Sequence, residues 1–187
     1  QGATDAIERG KRQIKKINAL IDEFLDASKL QAGELKLKTE DCELSSLLRK
    51  VVDQWKEIKP NRIFNAEIEN IRVKCDLSRM ERVFHNLLSN AIKYSDEKNP
   101  IKIKLKKENP DCAHLIVEDF GTGISEDELK EIFLPFKRST SAADMAEGTG
   151  LGLSNVRMII EAHGGKAWAE SQIGKGSQFH ARIPMAR

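Results

Sequence analysis

Along residues 5–32 apolar side chains return mostly at alternating spacings of three and four, at Ile7, Ile14, Ile17, Ile21, Phe24 and Leu25, while Arg9, Lys11, Arg12, Lys15, Lys16, Asp22, Glu23 and Asp26 take the opposite side. That period predicts one long amphipathic helix with a single stripe to bury, the seam of a bundle or coiled coil. A lone helix cannot shield its own stripe, so it either folds back on the rest of the chain or, the reading favoured here, meets a partner helix. Gly33 breaks the pattern and residues 34–38 alternate like a short strand, which separates a unit at 1–36 from a domain at 37–187.

Beyond that boundary the hydrophobic period switches repeatedly between helix and strand. Helices are predicted over residues 44–59, where Pro60 stops the pattern, over 78–93, with Met80, Val83, Phe84, Leu87, Leu88, Ala91 and Ile92 on one side, and over 151–163. Strands are predicted over 63–69, 71–76, 101–107, 114–118, 166–171 and 177–183, the last two joined by a Gly174-Lys175-Gly176 turn. Residues 101–107 set Ile101, Ile103 and Leu105 against Lys102, Lys104 and Lys106, the signature of a half-buried antiparallel strand. Because helices and strands do not alternate strictly, the expected fold is α+β, with an antiparallel or mixed sheet carrying helices on one face.

Charge narrows the partners. Lys and Arg number 31 against 29 Asp and Glu, a net +2, and no aromatic is interleaved with the lysine row, so no nucleic-acid partner is expected. No apolar run reaches the length of a bilayer span and no signal-like segment opens the chain, so no direct membrane contact is expected and the domain reads as cytoplasmic. The chain lacks an initiator Met, which suggests a piece of a longer protein that is either soluble or membrane-anchored. Cys42, Cys75 and Cys112 have neither Cys-x-x-Cys spacing nor a nearby His at zinc spacing, and are expected to be reduced thiols.

Two glycine-rich stretches, Asp119-Phe-Gly121-Thr-Gly123-Ile124 and Gly148-Thr149-Gly150-Leu151-Gly152-Leu153, carry the candidate chemistry. The second opens a helix, where backbone amides can converge on a phosphate. Neither supplies a P-loop Gly-Lys-Ser/Thr or a dinucleotide fingerprint. On the central helix Asn86 and Asn90 stand one turn apart, followed within another turn by Lys93 and Tyr94. Two amide oxygens can meet a hard cation, and a lysine one turn away can neutralise phosphate oxygens.

Together these segments resemble the ATP-binding catalytic domain of two-component sensor histidine kinases, in the GHKL ATPase superfamily. His85-Asn86-Leu87-Leu88-Ser89-Asn90-Ala91-Ile92-Lys93-Tyr94 is similar to the N box, Asp119-x-Gly121-x-Gly123 to the G1 box, Phe133-Leu134-Pro135-Phe136 to the F box and residues 148–153 to the G2 box. The resemblance implies the two-layer α/β sandwich of the Bergerat fold over 37–187, with residues 1–36 as the second helix of a dimerisation bundle. It implies Mg-ATP as ligand. Asp119 would read adenine, since a carboxylate accepts from the exocyclic amine and guanine presents an acceptor there. Gly121 and Gly123 would let the backbone approach the base, Tyr94 would stack on the nucleotide, and Ile124, Leu153 and Phe179 would wall the pocket. Asn90 would hold Mg²⁺ with Asn86 in support, Lys93 and Arg138 would contact phosphates, and Gly148, Thr149, Gly150, Leu151 and Gly152 would line the phosphate end. Ser177 would sit near adenine, and residues 137–147 would form a mobile lid.

Hydrolysing relatives carry glutamate where this chain has Asn86, which cannot take a proton from water at neutral pH. The resemblance therefore implies phosphoryl transfer to a histidine on a bundle helix outside this chain, in a homodimer, with relay to the receiver domain of a response regulator. None of His85, His114, His163 and His180 has a phosphoacceptor context. Two other readings remain at this point: a serine kinase of the anti-sigma-factor branch, against which the bundle-like helix argues, and a nucleotide-binding pseudokinase acting as an interaction module.

Overall fold

The computed structural model describes Gly10, residues 36–137 and residues 149–185. Apart from Gly10, the helix expected over 5–32 lies outside these residues, as do Arg138, Gly148 and all of the expected lid but Lys137. The chain divides between Lys36 and Leu37, and the second unit is the one described.

Its elements run β1 (Glu40–Glu43), α1 (Leu44–Ile58), β2 (Phe64–Ile68), β3 (Arg72–Cys75), α2 (Leu77–Lys93), β4 (Ile101–Asn109), β5 (Cys112–Asp119), α3 (Glu126–Leu129), α4 (Gly152–Ala162), β6 (Lys166–Gln172) and β7 (Gly176–Pro184). Five strands form one sheet in the order β2-β4-β5-β7-β6, and β1 pairs with β3 in a separate two-stranded ribbon. Only the β2–β4 pairing in the large sheet is parallel, so the sheet is mixed, as the irregular succession of helices and strands predicts.

The period-two pattern decides which face is covered. Ile101, Ile103 and Leu105 of β4, Ala113, Leu115 and Val117 of β5, and Phe179, Ala181 and Ile183 of β7 are buried on one face. The helices bring Leu48, Val51 and Val52 from α1, Val83, Phe84, Leu87 and Leu88 from α2, and Val156, Ile159 and Ile160 from α4, all at helical spacing. On the other face Lys102 pairs with Glu118 at 3.3 Å and Lys104 with Glu67 at 3.2 Å. Lys102 and Lys104 of the lysine row are thus matched by cross-strand carboxylates.

Two expectations are corrected and one element is added. Residues 36–39 form no strand; the strand begins at Glu40, and the Lys38 amide instead donates to Asp76 Oδ2 at 3.0 Å. The short helix α3 was not predicted, although Ser125 and Glu128 form a complete capping box. Cys42 and Cys75 are joined in a disulfide with Cα atoms 6.5 Å apart, leaving Cys112 free. Their spacing of 33 residues carries no local signal; antiparallel pairing of β1 with β3 brings them together.

Candidate functional site

The α2 helix supplies one wall. Asp76 caps it, accepting from the Arg79 amide at 3.2 Å, while its own amide donates to His163 Nε2 at 3.0 Å and His163 Nδ1 donates to the Ile159 carbonyl at 2.7 Å. Through these two bonds the His163 ring clamps the end of α4 to the start of α2. With its apolar side buried, α2 presents Asn86, Asn90 and Lys93 as half-buried residues, ending at the half-buried Tyr94. Lys93 Nζ lies 4.9 Å from the centre of the Tyr94 ring. Asn86 Nδ2 donates to the Gly152 carbonyl at 3.2 Å, tying the N box to the first turn of α4.

Asp119 ends β5 and is only 3 % exposed. Its Oδ1 accepts from the Gly121 amide at 2.9 Å. Burial pushes the carboxyl up to about 6, against the opposing pull of the Gly121 and Ser177 amides and the charge of Arg62. Ser177 stands directly opposite Asp119 on β7. Its hydroxyl lies 3.0 Å from Ser171 Oγ, which accepts from the Ile124 amide at 2.8 Å and donates to the Gly176 carbonyl at 2.7 Å. Ser171, which no motif marks, thereby locks the G1 turn to the β6–β7 hairpin.

The glycines of the G1 box have a reason beyond an approaching base. A Cβ at Gly121 would collide with the Tyr94 carbonyl oxygen, and one at Gly123, whose φ is +72°, with the Gln172 carbonyl oxygen. Both let the turn after β5 wedge against the end of α2 and the end of β6. The Thr122 amide reaches the Tyr94 carbonyl at 3.4 Å, and Asn99 Nδ2 donates to the Phe120 carbonyl at 2.8 Å. Ile124 and Leu153 are half-buried, whereas Leu151 and Phe179 are buried in the core.

The F and G2 boxes meet: the Phe136 amide donates to the Gly150 carbonyl at 3.1 Å. Phe136 holds a left-handed φ of 63° and is 65 % exposed, an unusual combination for a bulky aromatic. Thr149 Oγ1 accepts from the Leu151 amide at 3.3 Å, just ahead of the first turn of α4. The structure thus gathers Asn86, Asn90, Lys93 and Tyr94 on α2, Asp119, Gly121, Gly123 and Ile124 after β5, and Thr149 to Leu153 at the start of α4. Residues without a motif that serve this assembly are Ser171, Asn99 and Arg62.

The remaining histidines are engaged elsewhere. His114 Nε2 lies 3.1 Å from His180 Nδ1, and Trp168 stacks on His180 at 4.8 Å on the open face of the sheet. Burial pulls His114, His180 and His85 below the usual imidazole range.

Residues 75–187 match the family described as histidine kinase-, DNA gyrase B- and HSP90-like ATPase. The adaptive-response sensory kinase SasA of a Synechococcus species is 33 % identical, over 100 % of this chain and 52 % of its own length. This chain thus spans about half the length of the curated relatives it matches. The solved catalytic domain of histidine kinase ThkA, nucleotide-free, is 34 % identical at a TM-score of 0.69, with 80 % of this chain and 99 % of that one covered. The Acinetobacter baumannii histidine kinase AdeS gives 26 % identity and a TM-score of 0.76, covering 94 % and 82 %. The chain belongs to the histidine kinase-, DNA gyrase B- and HSP90-like ATPase family and carries the ATP-binding catalytic domain of a histidine kinase.

Proposed function

We propose that this domain binds Mg-ATP and delivers the γ-phosphoryl group to a histidine on a bundle helix, for relay to an aspartate in a response-regulator receiver domain. The observation that carries this reading is Asp119, a buried carboxylate held by backbone amides at the end of β5, beside the polar stripe of α2. It offers only acceptors to a base edge, and adenine's amine is the matching donor. Tyr94 supplies an aromatic face and Lys93 a cation for phosphate oxygens. The start of α4 supplies amides that lack partners within the helix.

The residues present fit a magnesium ion. Asn86 commits its amide nitrogen to Gly152, so its free end is the carbonyl oxygen, a hard donor of the kind magnesium accepts beside water and phosphate. Asn90, one turn on, would be the direct ligand. Bound there, the ion would neutralise charge on the transferred phosphoryl group.

Asn86 also favours transfer over hydrolysis. Its amide is a hydrogen-bond donor to a carbonyl, and it offers no base to activate water. The partners in this reading are the phosphoacceptor helix, a second protomer and the receiver domain, all on the cytoplasmic side of any membrane.

Calorimetric titration tests the reading. ATP and ADP should bind, GTP should bind at least tenfold more weakly, and Asp119→Asn should lose at least about tenfold in ATP affinity, roughly 1.4 kcal/mol. Equal affinity for ATP and GTP would sink the assignment.

A further inference from the structure

Arg62 lies in the connection between α1 and β2, outside every motif, yet its side chain is only 6 % exposed. Arginine is rarely buried without a task for its guanidinium. Here one nitrogen, Nη1, donates to the carbonyls of Ser95 and Asp96, and the other, Nη2, donates to Ser95 Oγ. Ser95 Oγ in turn donates to the Ala91 carbonyl in the last turn of α2. The guanidinium therefore fastens the strap that follows α2 from behind.

That strap touches the turn that follows Asp119. Its first residue, Tyr94, presents the carbonyl against which Gly121 packs and to which Thr122 donates. Its Asn99 donates to the Phe120 carbonyl, next to Asp119 in sequence. Movement of the strap would be felt by both the stacking ring and the turn whose amide holds the carboxylate. Arg62 also acts directly, as the cation whose charge favours ionised Asp119. Glu118 on the same strand opposes it and is itself paired with Lys102, while the Ser177 amide on β7 and the Gly121 amide favour the charged form. The coupling is reciprocal: burial pulls Arg62 below its ordinary value, and Glu97, Asp119 and Asp96 counteract it.

We propose that Arg62 is a positioning residue for base recognition: it holds the Tyr94 strap in register with the Gly121 turn, whose amide holds the Asp119 carboxylate. This rests on the reading of Asp119 as the adenine contact. It adds that specificity depends on a residue touching neither base nor phosphate.

ATP affinity measured by calorimetry from about pH 5.5 to about pH 8 in wild type, Asp119→Asn, Arg62→Gln and Arg62→Lys is the test. Reading each profile against Asp119→Asn cancels the titration of the nucleotide itself. Wild-type affinity should fall as acidification passes about 6, where the Asp119 carboxyl protonates. Arg62→Gln should weaken binding about fivefold at the alkaline end and move the midpoint upward by about half a pH unit or more. Arg62→Lys should restore the midpoint but retain about a threefold loss, because an ammonium cannot span all three acceptors as the planar fork does. If Arg62→Gln does not fold, judged by circular dichroism, Arg62→Lys decides, and wild-type affinity in that variant overturns the proposal. So does a loss in Arg62→Gln that is equal at every pH, which marks a merely structural residue. Asp119→Asn binding ATP as tightly as wild type would remove the adenine reading itself, a distinguishable failure that takes this proposal with it.

Discussion

If Asp119 reads adenine as proposed, its protonation should affect binding and folding in opposite directions. The carboxyl moves from an ordinary 3.8 up to about 6 on folding, chiefly through burial. A carboxyl raised in the folded state contributes stability that is full below the unfolded value and is lost as pH rises through the folded one. Acidification through about 6 should therefore stabilise the nucleotide-free domain by up to roughly 3 kcal/mol, the charge that burial penalises being removed. In the proposed reading, with Asp119 as the adenine contact, base recognition requires that same charge, so ATP affinity should fall over the same window. Asp119→Asn separates the two effects. Thermal melts without nucleotide at neutral pH should show it more stable than wild type, and melts with saturating ATP should show the advantage gone, because ligand stabilisation now favours wild type. A variant less stable than wild type in both conditions would mean that the carboxylate is a structural hydrogen-bonding group and no more.

The α2 helix joins a structural end to a functional end. At its start the Asp76 cap gathers the Arg79 and Lys38 amides and passes its own amide to His163; one turn apart further along stand Asn86 and Asn90. His163→Ala removes a half-buried acceptor and a link to α4, and should lower unfolding free energy by about 1–2 kcal/mol in urea titration while leaving ATP affinity nearly intact. Asn90→Ala should do the reverse, leaving the urea midpoint unmoved and abolishing the Mg²⁺ dependence of ATP binding. Equal Mg²⁺ dependence in Asn90→Ala and wild type would remove the cation role. The apolar period made α1, α2, α4 and the central strands β4, β5 and β7 legible within a few residues, because each buries one regular face. It could not show β1, whose Glu-Asp-Cys-Glu buries a single side chain and exists by pairing with β3 some thirty residues away. The short α3 is marked in the sequence only by the capping pair Ser125 and Glu128, because none of its residues is buried. Site residues carried by glycine, asparagine and aspartate motifs could be named from sequence, whereas Arg62, Ser171 and Asn99 could not. Their roles exist only because loops distant in sequence converge.

At the scale of the domain, one face of the sheet is packed against helices, and the candidate site lies where α2, the turn after β5 and the start of α4 meet. Every histidine of the chain falls among the described residues, and three of them are committed to packing: His163 between α4 and α2, and His114 and His180 to each other beside Trp168. The fourth, His85, is half-buried on α2 with its ring 6.1 Å from that of Trp55. None is placed as a nucleophile toward the site, and Asn86 provides no base for water. Incubated alone with γ-labelled ATP and Mg²⁺, the chain should therefore bind nucleotide, take up no acid-labile phosphate and turn over ATP very slowly. Adding a helical bundle that carries a phosphoacceptor histidine should yield label that is lost in acid and kept in base, since a phosphoramidate behaves in that way and a phosphoester does not. Mass spectrometry locating phosphate on His85, His114, His163 or His180 after incubation of the chain alone would refute the transfer reading. Rapid release of inorganic phosphate with no protein label would instead assign this domain to the hydrolysing members of its family.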